Sequence, residues 1–248
     1  MILDHFRLDG RVVLITGGGT GLGQAVAVAL AEAGADIAIL YPTRPDAIRQ
    51  AVTALKRRWM GAQLDIKGAS VTQLQGAVQQ VAGQLGRLDV IVNCTESTPR
   101  PPALDYAESD WDGQQADLKA AFFLSQAAAR HFRTAGHGKV INIGAMLSEP
   151  GQVPATAHAA TLSTLLGLTR QLANQWAPLG INVNCIVPGY MRAVAEGEGG
   201  PVEPPLGVPA QRWGSLTDVE AAALYLASPA SDYVHGVALY VDGGWAVR

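Results

Sequence analysis

Short apolar runs rich in β-branched residues alternate with longer stretches of helical period along the chain. Residues 11–17 (RVVLITG), 35–41 (ADIAILY), 61–66 (GAQLDI), 88–94 (LDVIVNC), 138–146 (GKVINIGAM), 181–189 (INVNCIVPG) and 237–244 (VALYVDGG) read as strands. Between them, residues 21–34, 46–58, 70–85, 108–134, 157–177 and 216–228 read as helices, the first ended by Gly34. Apolar strands alternating with helices predict an α/β fold, a parallel sheet covered on both faces. One segment breaks the pattern: residues 193–210 are rich in Gly, Pro and Glu and read as an irregular loop, either a lid or a spacer, at the carboxyl edge of the sheet where open α/β folds bind ligands.

Composition narrows the class. The 248 residues fit one large domain; 48% are apolar and only 16% charged, so much of the chain is expected to be buried. The net charge of −3 and the lack of a basic block give no reason to expect nucleic acid or an anionic membrane as partner. The polar N-terminus and the absence of a long apolar run predict a cytoplasmic protein with no membrane span. Cys94 and Cys185 sit in apolar strand-like runs and read as buried structural thiols. His5, His131, His137 and His235 are scattered without ligand spacing, so no metal is expected.

The chemistry begins at LITGGGTGLGQ. Thr16, Gly17, Gly21 and Gly23 fall between a strand and an amphipathic helix, where glycines permit a tight turn and let backbone N–H groups approach a pyrophosphate. That Thr-Gly-x-x-x-Gly-x-Gly spacing, with LDVIVN at 88–93, INVNCIVPGY at 181–190 and ASDYVHGVALYVDGGW at 230–245, resembles the short-chain dehydrogenases/reductases along essentially the whole chain. MILDHF, TGLGQ, FFLSQAAARHF, PGYM and the VDGGWAVR ending are most similar to bacterial sugar-acid dehydrogenases, which act on 2-deoxygluconate or 2-keto-3-deoxygluconate with NAD. The resemblance implies a single-domain Rossmann-like doubly wound sheet over residues 1–248, a tetramer built through the long helices and the C-terminal segment, and cofactor contacts from Thr16, Gly17, Gly21, Gly23, Asp65 and Asn93.

The resemblance also implies four catalytic residues, an Asn, a Ser, a Tyr and a Lys. The tyrosine exchanges the proton, the lysine lowers its pKa and grips the ribose, the serine orients the substrate oxygen, and the asparagine holds a relay water. Here those positions carry Asp117, Ala145, His158 and Leu162, and residues 141–189 contain no Tyr or Lys. Glu96 replaces a glycine beside the cofactor, where its charge opposes a pyrophosphate, and the second strand ends in Tyr41 and Pro42 rather than an acid. A relay of His158 and Asp117 with Ser148 as substrate anchor is conceivable, but nothing is identified that replaces the lysine charge.

Three functions follow from these residues. The first is a non-catalytic subunit that scaffolds a homologous catalytic dehydrogenase in a hetero-oligomer, as in the two-subunit dehydrogenase of anaerobic toluene breakdown that oxidises a benzylsuccinyl-CoA-derived alcohol. The second is an active NAD(P)-dependent oxidoreductase on a hydroxy or keto substrate with a site centred on His158. The third is a dinucleotide-sensing module. The first is the reading that loss of all four residues favours.

Overall fold

The computed structural model describes residues 1–18, 21–42, 46–94, 102–146, 156–192, 203–205 and 207–247. Its strands are β1 (Val12–Thr16), β2 (Asp36–Tyr41), β3 (Trp59–Gln63), β4 (Val90–Asn93), β5 (Gly138–Ile143), β6 (Ile181–Pro188) and β7 (Ala238–Val241). They form one parallel sheet in the order β3-β2-β1-β4-β5-β6-β7. The helices are α1 (Gly21–Glu32), α2 (Asp46–Ala54), α3 (Val71–Leu85), α4 (Glu108–Ala135), α5 (Thr156–Trp176) and α6 (Leu216–Ala227).

Successive strand residues point to opposite faces, and both faces are covered. In β1, Val12 and Leu14 pack with α3, α4 and α5 through Leu74, Leu124 and Leu172. Val13 and Ile15 pack with α1, α2 and α6 through Leu30, Val52 and Leu226. Two apolar layers explain why the strands read as continuous hydrophobic runs; each Val, Leu or Ile so buried contributes about 1.5–3 kcal/mol.

The third strand is displaced from its expected place. It begins at Trp59 and ends at Gln63, not at 61–66, and the helix expected over 46–58 stops at Ala54. Lys56 turns the chain with φ of 58°, and Arg57 N–H closes back on Val52 O at 3.3 Å. A lysine in the left-handed conformation carries none of the glycine signal that usually marks a helix end.

The amino ends of three strands meet on one carboxylate. Asp89 immediately precedes β4 and is 3% exposed. Its Oδ2 accepts the Val12 N–H at 2.9 Å and Arg87 Nε at 2.8 Å; its Oδ1 accepts from Arg11 at 2.9 Å, with His137 Nε2 also 2.9 Å away. Burial alone would raise the carboxyl pKa, but hydrogen bonds from Arg87, Val12, Arg11 and His137 outweigh it and hold the group at about 2, below 3.8.

A depressed carboxyl contributes stability above its unfolded pKa and loses it as pH falls through the folded one. Asp89→Asn is expected to lower unfolding free energy by about 2 kcal/mol near neutral pH, the scale of a hydrogen bond to a charged group. In urea titrations the gap between parent and variant should close as pH falls from about 4 towards 2. A pH-independent gap would show that the charge is not what matters.

Candidate active site

The strand order reverses between β1 and β4, the switch point where open α/β sheets hold ligands beyond the carboxyl ends of their strands. Thr16 closes this seam. Its hydroxyl accepts the Cys94 N–H at 3.0 Å and donates to Cys94 O at 3.1 Å. Gly17 follows with φ of +61°, and a Cβ there would lie 2.4 Å from Cys94 O; one on Gly23 would lie 2.3 Å from Gly17 O. The turn therefore has no room for side chains where α1 folds back upon it.

Above Gly21 the situation is the reverse, because a Cβ there would meet nothing within 4 Å. The first turn of α1 carries no acidic residue. Among the described residues nothing crowds Gly21, and the first turn of α1 brings no negative charge of its own, which fits a dinucleotide pyrophosphate at this helix start. Asp65 is exposed just past β3, its Oδ1 accepting Lys67 N–H at 3.0 Å. Tyr41 ends β2, so no carboxylate stands at that strand end.

The remaining expected residues divide. Asn93, Asp117, His158 and Leu162 line one small cavity between β4, α4 and α5, together with Gln114 and Thr161. Ala145 lies just past β5, is not among the lining residues and has no hydroxyl to offer. His158 sits in the first turn of α5, 7% exposed, with Nδ1 3.1 Å from Gln114 Oε1. A carbonyl oxygen only accepts, so in this pairing Nδ1 carries the hydrogen. Leu162, 3% exposed, is one turn further along the same helix and is apolar packing.

A buried polar chain backs this cavity. Asn93 Nδ2 donates to Ser125 Oγ at 2.9 Å and to Asn142 Oδ1 at 2.8 Å, and Asn142 Nδ2 donates to Thr169 Oγ1 at 2.9 Å. Asn93 Oδ1 is buried with no hydrogen-bond partner among the described residues.

Two residues of the site escape a reading by motif. Gln114 lies one helical turn before Asp117 on the same face, a spacing that could have exposed it. Lys67 lies in the turn after β3, and only the fold brings its Nζ to 3.5 Å from Asp117 Oδ2. Its side chain is 31% exposed against 4% for Asp117. Leu162 supplies no charge from α5, and Lys67 brings a cation to Asp117 from the turn after β3.

A second cavity, of about 220 Å³, opens at the carboxyl ends of β6 and β7, lined by Tyr190, Met191, Val208, Arg212, Asp242 and Gly243 among others. Tyr190 meets Trp213 and Trp245 edge-on at 6.0 and 6.4 Å, and Val208, from the loop expected at 193–210, packs with Met146 and Trp245. Glu96, Ser148 and residues 193–202 lie outside the described residues. Both cysteines are buried, and burial pushes the Cys185 thiol up to about 12, so it is an unreactive packing group. Among the described residues no group of three His, Cys, Asp or Glu side chains is placed for a metal, and no helix is long and apolar enough to cross a membrane.

Residues 17–246 match the family described as enoyl-(acyl carrier protein) reductase. The chain is 40% identical, over 255 residues and 100% of both chains, to 2-dehydro-3-deoxy-D-gluconate 5-dehydrogenases of Dickeya dadantii and Escherichia coli. A gluconate 5-dehydrogenase of Burkholderia cenocepacia, solved in complex with NADP and tartrate, is 32% identical, covers 100% of each chain and has a TM-score of 0.89. These relatives overturn the reading of a non-catalytic scaffold in a hetero-oligomer: similarity at this level over the full length is to proteins named as dehydrogenases. Substitution at four positions is a statement about those four side chains, and it does not show that the site has lost its chemistry. With its glycine turn, its parallel sheet and this full-length similarity, the chain belongs to the short-chain dehydrogenase/reductase family, close to the 2-dehydro-3-deoxy-D-gluconate 5-dehydrogenases.

Proposed function

We propose that this chain is a nicotinamide-dinucleotide-dependent oxidoreductase that interconverts a hydroxyl and a keto group on a small sugar acid, with His158 as proton carrier. The observation that carries the reading is the 40% identity over the whole chain to sugar-acid dehydrogenases. It is supported by a buried imidazole in the cavity behind the switch point.

The bound dinucleotide supplies the hydride chemistry. Thr16, Gly17, Gly21 and Gly23 shape the turn that would hold its pyrophosphate, with Asp65 and Asn93 towards its other parts. In the oxidative direction His158 Nε2 takes the proton of the substrate hydroxyl while Nδ1–H stays on Gln114 Oε1, which fixes the ring. In the reductive direction the same nitrogen returns it. Ala145 leaves the substrate oxygen without a serine anchor, so orientation falls to other groups.

His158→Phe, which keeps an aromatic ring but no proton, is expected to lower kcat by about 100-fold or more. Its dinucleotide Kd should stay within about twofold of the parent. The check is nicotinamide absorbance with 2-dehydro-3-deoxygluconate and 5-ketogluconate as trial substrates. A parent chain inert towards hydroxy and keto acids with either dinucleotide would sink the oxidoreductase reading.

The cofactor is proposed to be NADP rather than the NAD implied by resemblance. With Tyr41 ending β2, that strand end presents no carboxylate to repel a 2′-phosphate, and the Burkholderia relative was solved with NADP. In fluorescence titrations NADP⁺ should bind at least as tightly as NAD⁺. Tyr41→Asp should weaken NADP⁺ by about 10-fold or more while changing NAD⁺ less, as a charge placed beside a phosphate demands. Equal weakening of both would show that Tyr41 does not face the 2′ position.

A further inference from the structure

The sheet has a second pole. At the amino ends of its strands, removed from the active-site cleft by the six residues of β5, about 20 Å, lies a cavity of about 340 Å³. Its titratable lining is Arg11, Asp89, His137, Lys139, Asp232 and His235, none of which the proposed reaction uses. Arg11 precedes β1, Asp89 precedes β4, Lys139 is the second residue of β5, and Asp232 and His235 lie between α6 and β7.

Bases outnumber acids around this cavity. Asp89 is shared by Arg11 at 2.9 Å and Arg87 at 2.6 Å, and Asp232 pairs with Lys139 at 2.8 Å. Three cations therefore stand against two carboxylates, with two imidazoles beside them. Burial lowers the Lys139 pKa, Asp232 opposes that, and the charge of Arg11 lowers it further. Two of the lining cations are thus close enough to repel each other.

Donors are also left over. Arg11 spends Nη1 on Asp89 and His137, and among the described residues its Nε and Nη2 have no partner. Those two nitrogens form one edge of the guanidinium, the parallel N–H fork that fits a carboxylate or phosphate. Asn182 Nδ2 only donates, so His235 Nε2, 3.1 Å away, accepts and the ring hydrogen sits on Nδ1. Among the described residues that nitrogen has no partner either. Lys139 Nζ is held in place by Asp232 and by Ser231 Oγ at 3.1 Å, so its charge is fixed at the wall.

We propose that this cavity is a second ligand site, for a small oxyanion, held by the Nε–Nη2 edge of Arg11, by the His235 Nδ1–H and by the positive charge of Lys139. A carboxylate or a phosphate supplies the same chemistry. Bound there, it offsets the repulsion between Arg11 and Lys139 without displacing Asp89 or Asp232. The site does not depend on the oxidoreductase reading.

The test is proton NMR of the histidine rings in the full chain at constant pH and ionic strength, titrated separately with inorganic phosphate and with gluconate. The His137 and His235 signals are assigned by their loss in His137→Gln and His235→Gln. Both are expected to move together and to saturate in the millimolar range, while chloride at matched ionic strength leaves them in place. Saturation by phosphate alone assigns a phosphate ligand, and saturation by gluconate alone a carboxylate. Saturation by neither, or a curve that chloride reproduces, overturns the proposal. Arg11→Gln, which leaves Asp89 with Arg87 and the Val12 N–H, should weaken binding by about 10-fold or more, the scale of a lost charge-assisted pair. If that variant lacks parental circular dichroism, His235→Gln carries the test through the His137 signal, because it alters an exposed side chain; about threefold weaker binding is expected. Parental affinity in every folded variant overturns the proposal.

Discussion

The seam between β1 and β4 is short, and the rest of the molecule is arranged around keeping it closed. Only three residue pairs, Val13 with Val90 through Ile15 with Val92, are in register across it. Side chains pin both of its ends. At the amino end the Asp89 carboxylate accepts the Val12 N–H; at the carboxyl end the Thr16 hydroxyl bonds both the N–H and the O of Cys94. The chain must cross over in opposite directions from this seam, so the crevice that forms there is a consequence of strand order, and its walls are as firm as those pins. A glycine turn that tolerates no Cβ at Gly17 or Gly23 sits directly on the upper pin.

Much of this is legible in the sequence because the interactions are local or periodic. Strands buried on both faces read as unbroken apolar runs, and the helical period over 70–85 matches α3, which the structure caps with Ser70 and Gln73. The family resemblance also locates Asp117, His158 and Leu162, which the fold does bring to one cavity. What escapes is tertiary. Lys56 ends a helix in a conformation that lysine rarely adopts, so the pattern places the strand beyond it two residues late. Lys67 reaches Asp117 from fifty residues away in sequence, and no local pattern announces such a pair.

The same blind spot accounts for the expectation of a non-catalytic subunit. A motif records which side chain stands at a position, whereas a site responds to the total charge and the protons within reach. Leucine at position 162 leaves no cation on α5, whereas Lys67 is paired with Asp117 on α4. Alanine at 145 is a more complete loss, since an apolar methyl leaves no hydrogen-bonding side chain there. Full-length similarity integrates over every position at once and so outweighs an inference built on four.

The buried polar chain behind the cavity has a geometric consequence for the two long helices. Ser125 follows Gln114 on α4 by eleven residues, and Thr169 follows His158 on α5 by eleven. Eleven residues are close to three full turns, a mismatch of about 20°. The hydrogen bonds of Asn93 and Asn142 to Ser125 and Thr169 therefore fix the azimuth of each helix about its own axis. They do so three turns away from where that azimuth decides whether amide and imidazole face each other. Apolar packing tolerates small rotations of a cylinder; a pair of keyed hydroxyls does not, and the alignment of the ring with its amide is inherited from them.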